Sequence, residues 1–221
     1  SRDSVGDGKA LIPSSPNEGP RGSSVDQARI ATLLERLGAQ ILPGSGEIGV
    51  DIRDGDIGED FYELVGLIPE LDGIYINECR FAESVPPLPI VPTLKHLHIR
   101  SCPTIPQNLF EQLGAMKKLA DVGFWFSNVT DSHFRTVLKL EALSSLRICA
   151  APQLNHLVTR EISQAKELEF LELSWGTEVT EETLREILKL KKLRGLNISA
   201  YNPLCDAQSL MQLLSNDTWT Y

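Results

Sequence analysis

The strongest constraint on the fold of this chain is an apolar pattern that recurs about every 24 residues. The pattern is L-x-x-L-x-L, in which Ile, Val or Phe can replace Leu. It occurs at Leu71-Ile74-Ile76, Leu94-Leu97-Ile99, Leu119-Val122-Phe124, Leu143-Leu146-Ile148, Leu168-Leu171-Leu173 and Leu193-Leu196-Ile198. The first residues of these matches lie 23, 25, 24, 25 and 25 positions apart, and Val50 with Ile52 form a weaker copy before them. Apolar residues two positions apart predict strands, and the near-constant period predicts an array of stacked units.

The segments between the predicted strands have mostly helical patterns. Helical stretches begin at Asp131, Thr180 and Asp206, and the last two pair with Thr183 and Ser209 as capping residue types. The second unit differs because it holds four prolines, at Pro86, Pro87, Pro89 and Pro92. Proline lacks the N–H that a helix interior needs, so we expect an extended, polyproline-like segment there.

The chain before the repeats divides into a tail and a cap. Residues 1–24 are rich in Ser, Gly and Pro, which predicts a flexible tail or linker. Residues 25–52 hold an amphipathic helix, which Ser24 or Asp26 can cap and Gly38 can end, followed by two strand-like runs. We expect this segment to cover the first repeat, and residues 53–221 to form the repeats.

The pattern resembles the leucine-rich repeat family over roughly residues 45–221. The unit "LEFLELSWGTEVTEETLREILKLKKL" looks like the bacterial form of the repeat, and the opening helix and strand are similar to the cap that often precedes such arrays. The resemblance implies an α/β fold, a right-handed horseshoe-shaped solenoid with a parallel sheet on its concave face and a mostly helical convex side. The physics agrees, because stacked units bury a continuous apolar ladder and parallel strands need crossovers of this length.

Alternation along each strand assigns the remaining residues to the concave face. One predicted column is Tyr75, His98, Gly123, Arg147, Glu172 and Asn197, and its neighbour is Gly73, His96, Asp121, Ser145, Phe170 and Gly195. Aromatic and Arg side chains outside a core are typical of binding hot spots. The predicted binding residues are therefore Tyr75, His96, His98, Arg100, Asp121, Trp125, Phe126, Arg147, Phe170, Glu172 and Trp175. The alternative is that Trp125 and Trp175 fold over the sheet edge and pack on loops.

Two smaller features suggest chemistry that we do not favour. His96, His98 and Asp121 lie close enough on the predicted sheet to ligate zinc with an open position, but neighbours in a column of any solenoid are close. We predict histidines that are solvated or contact a partner, with no metal and no cofactor. Cys149 is a predicted exposed or half-packed thiol rather than a nucleophile, because the nearest concave histidine, His98, is two strands away.

Cys79 and Cys102 occupy equivalent positions, eight residues after the first leucine of their units. The family resemblance implies that such side chains hydrogen-bond the backbone of the turn, and we expect buried thiols. A disulfide between the two adjacent units is the alternative, since the expected Cα separation suits one.

Charge and motifs narrow the function classes. The chain has 30 acidic and 21 basic residues and a net charge of −9, which disfavours a nucleic-acid partner. It has no apolar run long enough to insert into a membrane, and it lacks phosphate-loop, G-x-S-x-G and H-E-x-x-H motifs. We predict a non-enzymatic scaffold that binds an unknown protein or peptide on the concave face. Alternatives are a structural protein that self-associates through an uncapped C-terminal edge near Thr218, and a metal-dependent enzyme at His96, His98 and Asp121.

Overall fold

The computed structural model describes residues 24–43, 48–151, 154–155, 159–175 and 179–198, and an eight-stranded sheet dominates them. The sheet contains β1 (Ala39–Pro43), β2 (Ile48–Arg53), β4 (Leu71–Asn77), β6 (His96–Arg100), β7 (Asp121–Trp125), β8 (Ser145–Cys149), β9 (Phe170–Ser174) and β10 (Gly195–Ile198) in that order. A two-stranded parallel sheet pairs β3 (Asp56–Ile57) with β5 (Arg80–Phe81). Strands β1 and β2 are antiparallel, and every later neighbouring pair of the large sheet is parallel.

Within residues 25–52, where the sequence predicts an N-terminal cap, the structure has a helix followed by an antiparallel strand pair. Helix α1 (Ser24–Arg36) begins one residue before the predicted boundary. Gly38 follows it with a φ of +79°, and its N–H donates to the carbonyl of Glu35 at 3.0 Å. Glycine adopts this left-handed conformation without a Cβ clash, which explains why the helix ends there.

The apolar residues of the repeat pattern form the core. The triplets that begin at Leu71, Leu94, Leu119, Leu143 and Leu168 are all buried, and they belong to one continuous hydrophobic cluster. In the sixth triplet Leu193 is buried, whereas Leu196 and Ile198 are partly buried against the cluster. Each fully buried side chain of this size contributes about 1.5–3 kcal/mol to folding.

The crossovers on the core side of the sheet are less helical than predicted. Three hold short α-helices: α2 (Glu59–Gly66), α3 (Asp131–Leu138) and α4 (Glu181–Ile187). In two others the described residues include 3₁₀ turns, at Gln107–Phe110 with Leu113–Ala115 and at Arg160–Gln164. In the first of these, Pro106 precedes the turns and Gly114 lies within them, which leaves too short a run for a regular α-helix. The described part of the convex side therefore combines α-helices, 3₁₀ turns and the proline-rich segment.

The proline-rich crossover is not helical, as predicted. Val85, Leu88 and Val91 are buried at intervals of three, while Ile90 is 51% exposed. A period of three is that of a polyproline helix with one face against a core. The segment is fixed from the next unit, because the side-chain amide of Asn108 donates to the carbonyl of Val85 at 2.6 Å.

Two helix starts are capped by threonine. The Thr180 side chain accepts a hydrogen bond from the backbone of Thr183 at 3.2 Å, as the sequence predicts. Thr130 caps α3 and shares a reciprocal pair of hydrogen bonds with His133, whose ring is buried. The predicted helix from Asp206 and the predicted edge strand near Thr218 lie outside the described residues. No helix in the described ranges is long and apolar enough to cross a membrane.

A left-handed residue follows each of six strands. These residues are Asp54, Glu78, Ser101, Phe126, Ala150 and Trp175, with φ between 50° and 57°. The N–H of Ser101 donates to the carbonyl of Trp125 at 2.7 Å, and that of Phe126 to the carbonyl of Cys149 at 2.9 Å. Each of these two turns therefore adds one hydrogen bond to the parallel ladder. Both turns also direct the chain away from the sheet at equivalent positions of their strands.

Candidate binding surface on the open face of the sheet

The strand register aligns the two predicted columns across the sheet. We call the face opposite the core the open face. It carries Gly49, Asp51, Arg53, Gly73, Tyr75, Asn77, His96, His98, Arg100, Asp121, Gly123, Trp125, Ser145, Arg147, Cys149, Phe170, Glu172, Ser174, Gly195 and Asn197. Asp51 and Arg53 were not among the predicted binding residues. The weak copy at Val50 and Ile52 was the signal that would have added them.

Three aromatic rings of the open face lie on glycines. A Cβ added to Gly73 would come within 2.7 Å of the Tyr75 ring, and one added to Gly195 within 2.6 Å of the Phe170 ring. The ring of Trp125 covers Gly123 even more closely. All three rings are partly exposed.

Trp125 therefore folds onto the sheet, though not in the way that the alternative interpretation supposed. Its ring covers the glycine two residues before it on the same strand and contacts His98 of the neighbouring strand. Such a ring loses little further conformational entropy when a partner covers it. The contacts with the sheet fix the ring and leave its outer side accessible to a partner.

Asp121 is the hub of a polar network at the centre of the open face. Its Oδ2 lies 2.9 Å from His98 Nε2 and 3.3 Å from His96 Nδ1, and its Oδ1 accepts from Arg147 Nη1 at 2.5 Å. Burial alone would raise the pKa of the Asp121 carboxyl. Hydrogen bonding to His98 and the charges of His98 and Arg147 outweigh burial and hold this pKa well below its usual range.

The predicted cluster of His96, His98 and Asp121 is thus brought together, but with Arg147 as an additional member. Both carboxylate oxygens of Asp121 are engaged, and the guanidinium would repel a cation placed beside them. Among the described residues, no group of three or more His, Cys, Asp or Glu side chains has a metal-binding arrangement. We therefore interpret the cluster as an ion-pair network that fixes the two imidazole rings.

Ring contacts connect this network to the aromatic side chains. The His98 ring makes edge-to-face contacts with Tyr75 and with Trp125, each with centroids 5.2 Å apart. The guanidinium carbon of Arg147 lies 4.8 Å above the centre of the Phe170 ring. Cation–π and edge-to-face contacts of this kind contribute about 0.5–1.5 kcal/mol each, and together they order a surface that crosses five strands.

The two flanks of the surface also have their carboxylates engaged. Asp51 is buried and accepts from Arg53 at 2.8 Å and from Asn77 at 2.7 Å. On the other flank, Glu172 accepts from Ser174 and from Asn197, both at 3.1 Å. The predicted residue Glu172 is therefore held within the sheet by its neighbours.

A pocket of about 250 Å³ lies between the Asp51 flank and the central network. Its walls are Leu42, Asp51, Arg53, Tyr75, Asn77, His98, Arg100 and Trp125. Five strands contribute to it, so the regular register of the sheet sets its shape.

Phe126 and Trp175 occupy left-handed positions at the strand ends. Their side chains are 53% and 60% exposed. Bulky residues are rare in this conformation, because the Cβ approaches the backbone. Trp175 is mostly exposed, and both side chains lie at one rim of the open face.

The predicted structural cysteines are buried free thiols. The Cys79 thiol donates to the carbonyl of Asn77 at 3.1 Å, and the Cys102 thiol donates to that of Arg100 at 3.3 Å. Ser127 continues this series with a hydrogen bond to Trp125 at 2.9 Å. Burial raises the pKa of the Cys102 thiol to about 11 and also raises that of Cys79. The thiols form a turn ladder, and the alternative disulfide is absent.

Cys149 departs from its prediction in one respect. Alternation places it on the open face beside Trp125 of the neighbouring strand, but its side chain is buried, with only 5% exposure. Its neighbours therefore cover the thiol, which we expected to be exposed or half-packed.

No protein-family model matches this chain, and no curated protein does. Among solved structures, the chain is similar to an internalin from Listeria monocytogenes, with 14% sequence identity and a TM-score of 0.28. The match covers 73% of this chain and 70% of that one. A likeness this weak says nothing about what the chain binds. The parallel strands, their regular period and their shared core themselves fit a repeat fold of stacked strand units.

Proposed function

We propose that this chain is a non-enzymatic interaction module that binds a protein or peptide segment on its open face. The observation that supports this most is the ordered set of partly exposed rings, Tyr75, Trp125 and Phe170, each held on a glycine. Rigid aromatic and Arg side chains contribute most of the energy at protein interfaces. A surface that is already ordered loses less entropy on binding.

The dimensions of the surface favour an extended polypeptide. Tyr75 on β4 and Phe170 on β9 are four strand intervals apart, which corresponds to about 19 Å. About six residues of an extended chain span this distance. The exposed rim at Phe126 and Trp175 adds apolar contact area at one side.

The groups most suited to catalysis on this face are otherwise engaged. Cys149 is buried, and Asp121 has both oxygens occupied by His96, His98 and Arg147. A nucleophile needs a base within hydrogen-bond reach, and the register places Cys149 two strands from His98. This arrangement supports a binding role over a catalytic one.

A selection from a random peptide library displayed on phage, with the whole chain as the target, provides the probe for a test. We expect selected peptides to lose at least about 100-fold in affinity when Trp125→Ala and Phe170→Ala are combined, since two hot-spot side chains are removed. A matched control combines Leu67→Ala with Ile90→Ala, which removes exposed apolar side chains of the crossovers that are 62% and 51% exposed. The control should bind like the unmodified chain.

Thermal melts of both variants separate lost binding from lost folding. A second open-face variant, Phe126→Ser with Trp175→Ser, changes only highly exposed side chains and should also weaken binding. Peptides that bind every variant equally would contradict the proposed function.

A further inference from the structure

The carboxylates of the open face are all matched by donors within the sheet. Asp51 has one oxygen on Arg53 and the other on Asn77. Asp121 is surrounded by the two imidazoles and the guanidinium described above. Glu172 accepts from two neutral side chains. The charges of Asp51 and Asp121 are therefore balanced within the sheet, whereas Glu172 has polar partners but keeps its charge.

Arg100 is different. It is exposed, and its guanidinium has no hydrogen bond or ion pair with any residue that the structure describes. It lines the 250 Å³ pocket together with Tyr75, Trp125 and His98. The pocket thus combines an unneutralised guanidinium with aromatic side chains that the sheet holds in place.

The charged groups beside the pocket other than Arg100 interact with one another. Arg53 is paired with Asp51, and the negative charges of Asp54 and Glu78 also act on Arg53. Among the described Asp and Arg residues that line the pocket, Asp51 and Arg53 pair with each other, which leaves Arg100 to pair with a single carboxylate of a ligand. A doubly charged phosphate would need a second free cation, and nearby carboxylates would repel its two charges more strongly than the single charge of a carboxylate. A carboxylate therefore fits better.

We propose that this pocket binds a carboxylate of an acidic peptide segment, with the guanidinium of Arg100 as its partner and Tyr75 and Trp125 against the flanking apolar groups. The inference rests on the proposed function, and it specifies the chemistry of the partner. Arg presents two parallel N–H donors to a carboxylate, which fixes orientation as well as charge.

The selected peptides provide the test. We expect Asp or Glu to be enriched in them over the starting library, next to an apolar residue. Changing that acid to its amide should weaken binding to the unmodified chain at least about tenfold, because a charge-assisted hydrogen bond is lost. The same change should have little effect on an Arg100→Glu chain, which should instead prefer a peptide with Lys at that position.

Three controls sharpen this result. Arg29→Glu, at an exposed position of α1, makes the same change in net charge and should leave the acid preference intact. Arg100→Lys should retain part of it, because the charge remains but the paired donors do not. Synthetic peptides with a free or an amidated C-terminus distinguish a terminal carboxylate from an Asp or Glu side chain.

The outcomes separate the two proposals. Peptides that need Trp125 and Phe170 but show no preference for an acid would overturn the carboxylate pocket and leave the proposed function standing. An acid preference that persists unchanged in the Arg100→Glu chain would also overturn it. Peptides that bind without regard to the open-face variants would overturn both.

Discussion

At the scale of single residues, the open face depends on glycines at positions where a larger residue would clash with an aromatic ring. The ring of Trp125 occupies the space that a Cβ of Gly123 would need. The sequence showed Gly73, Gly123 and Gly195 in the predicted columns, yet not that rings lie on them. Alternation predicts the face to which a side chain belongs, but the direction in which it folds depends on its neighbours.

Gly123→Ala should therefore destabilise the chain. The added methyl forces the indole ring off its position, and overpacking of this kind lowers the free energy of unfolding by about 1–3 kcal/mol. Gly114→Ala is the matched control, since nothing lies within 4 Å of its added Cβ, and it should change stability by less than about 1 kcal/mol. Urea denaturation measures both. Equal effects would contradict the ring position.

Asp121 is the residue whose charge matters most to the central network. Asp121→Asn should lower the free energy of unfolding by about 1–3 kcal/mol at pH 7, because three donors lose a charged acceptor. The folded-state pKa of this carboxyl is below its ordinary value of 3.8. Its contribution is thus fully present above that value and is lost as pH falls through the folded pKa.

The measurement is a series of denaturation curves of both chains between pH 7 and low pH. The stability gap between Asp121→Asn and the unmodified chain should be constant near neutral pH and should narrow below about pH 4. Glu141→Gln is the control, since its pair with Lys117 is largely exposed and contributes little. A gap that does not depend on pH would show that the charge of Asp121 is not what stabilises the network.

The cluster of His96, His98 and Asp121 shows what can and cannot be predicted from the sequence. Their common face follows from alternation, and that proximity suggested a metal. The role of Arg147 could not be derived, because it depends on a long side chain reaching from the next strand. A pair of columns predicts which residues are neighbours, but not which of several donors a carboxylate accepts from.

At the scale of elements, the strand ends are uniform in conformation although their residues are not. Six strands are followed by a left-handed residue, and none of the six is glycine. The sequence gives no signal of this, since Phe126 and Trp175 are among the least expected residues in that conformation. The conformation comes instead from the ladder hydrogen bonds that the turns make to neighbouring strands.

Ala150→Gly tests this description of the turns. Ala150 has a φ of 57°, which costs an L-residue roughly 1–2 kcal/mol, so glycine should stabilise the folded chain by about 0.5–1 kcal/mol after its greater loss of entropy. Ala120→Gly, at a described position without a positive φ, should destabilise or leave stability unchanged. A loss of stability in Ala150→Gly, measured by denaturation, would be inconsistent with the left-handed turn.

The crossovers were less predictable than the strands. The prolines at 86–92 excluded a helix correctly, because a single residue type forbids it. The 3₁₀ turns at Gln107–Phe110 and Arg160–Gln164 were not foreseen, since the same apolar spacing suits an α-helix or a tighter turn. The cap of α3 was missed because His133 is an unusual partner for Thr130.

At the scale of the whole molecule, one apolar period accounts for the architecture. Each strand pairs with its neighbours and shares their core, so stability is distributed along the array. The same register places aromatic, charged, polar and glycine residues on one face without interrupting the core. Function on such a scaffold depends on which residues alternate outward, and here they are aromatic, Arg and His side chains in contact with one another.

The most direct test of this account is a map of backbone amide chemical shifts on adding a selected peptide to the whole chain. We expect the largest changes on residues 73–77, 96–100, 121–126 and 170–175, with Arg100 among them. Changes confined to the crossovers, such as residues 59–66 or 85–92, would contradict the claim that the open face is the binding surface.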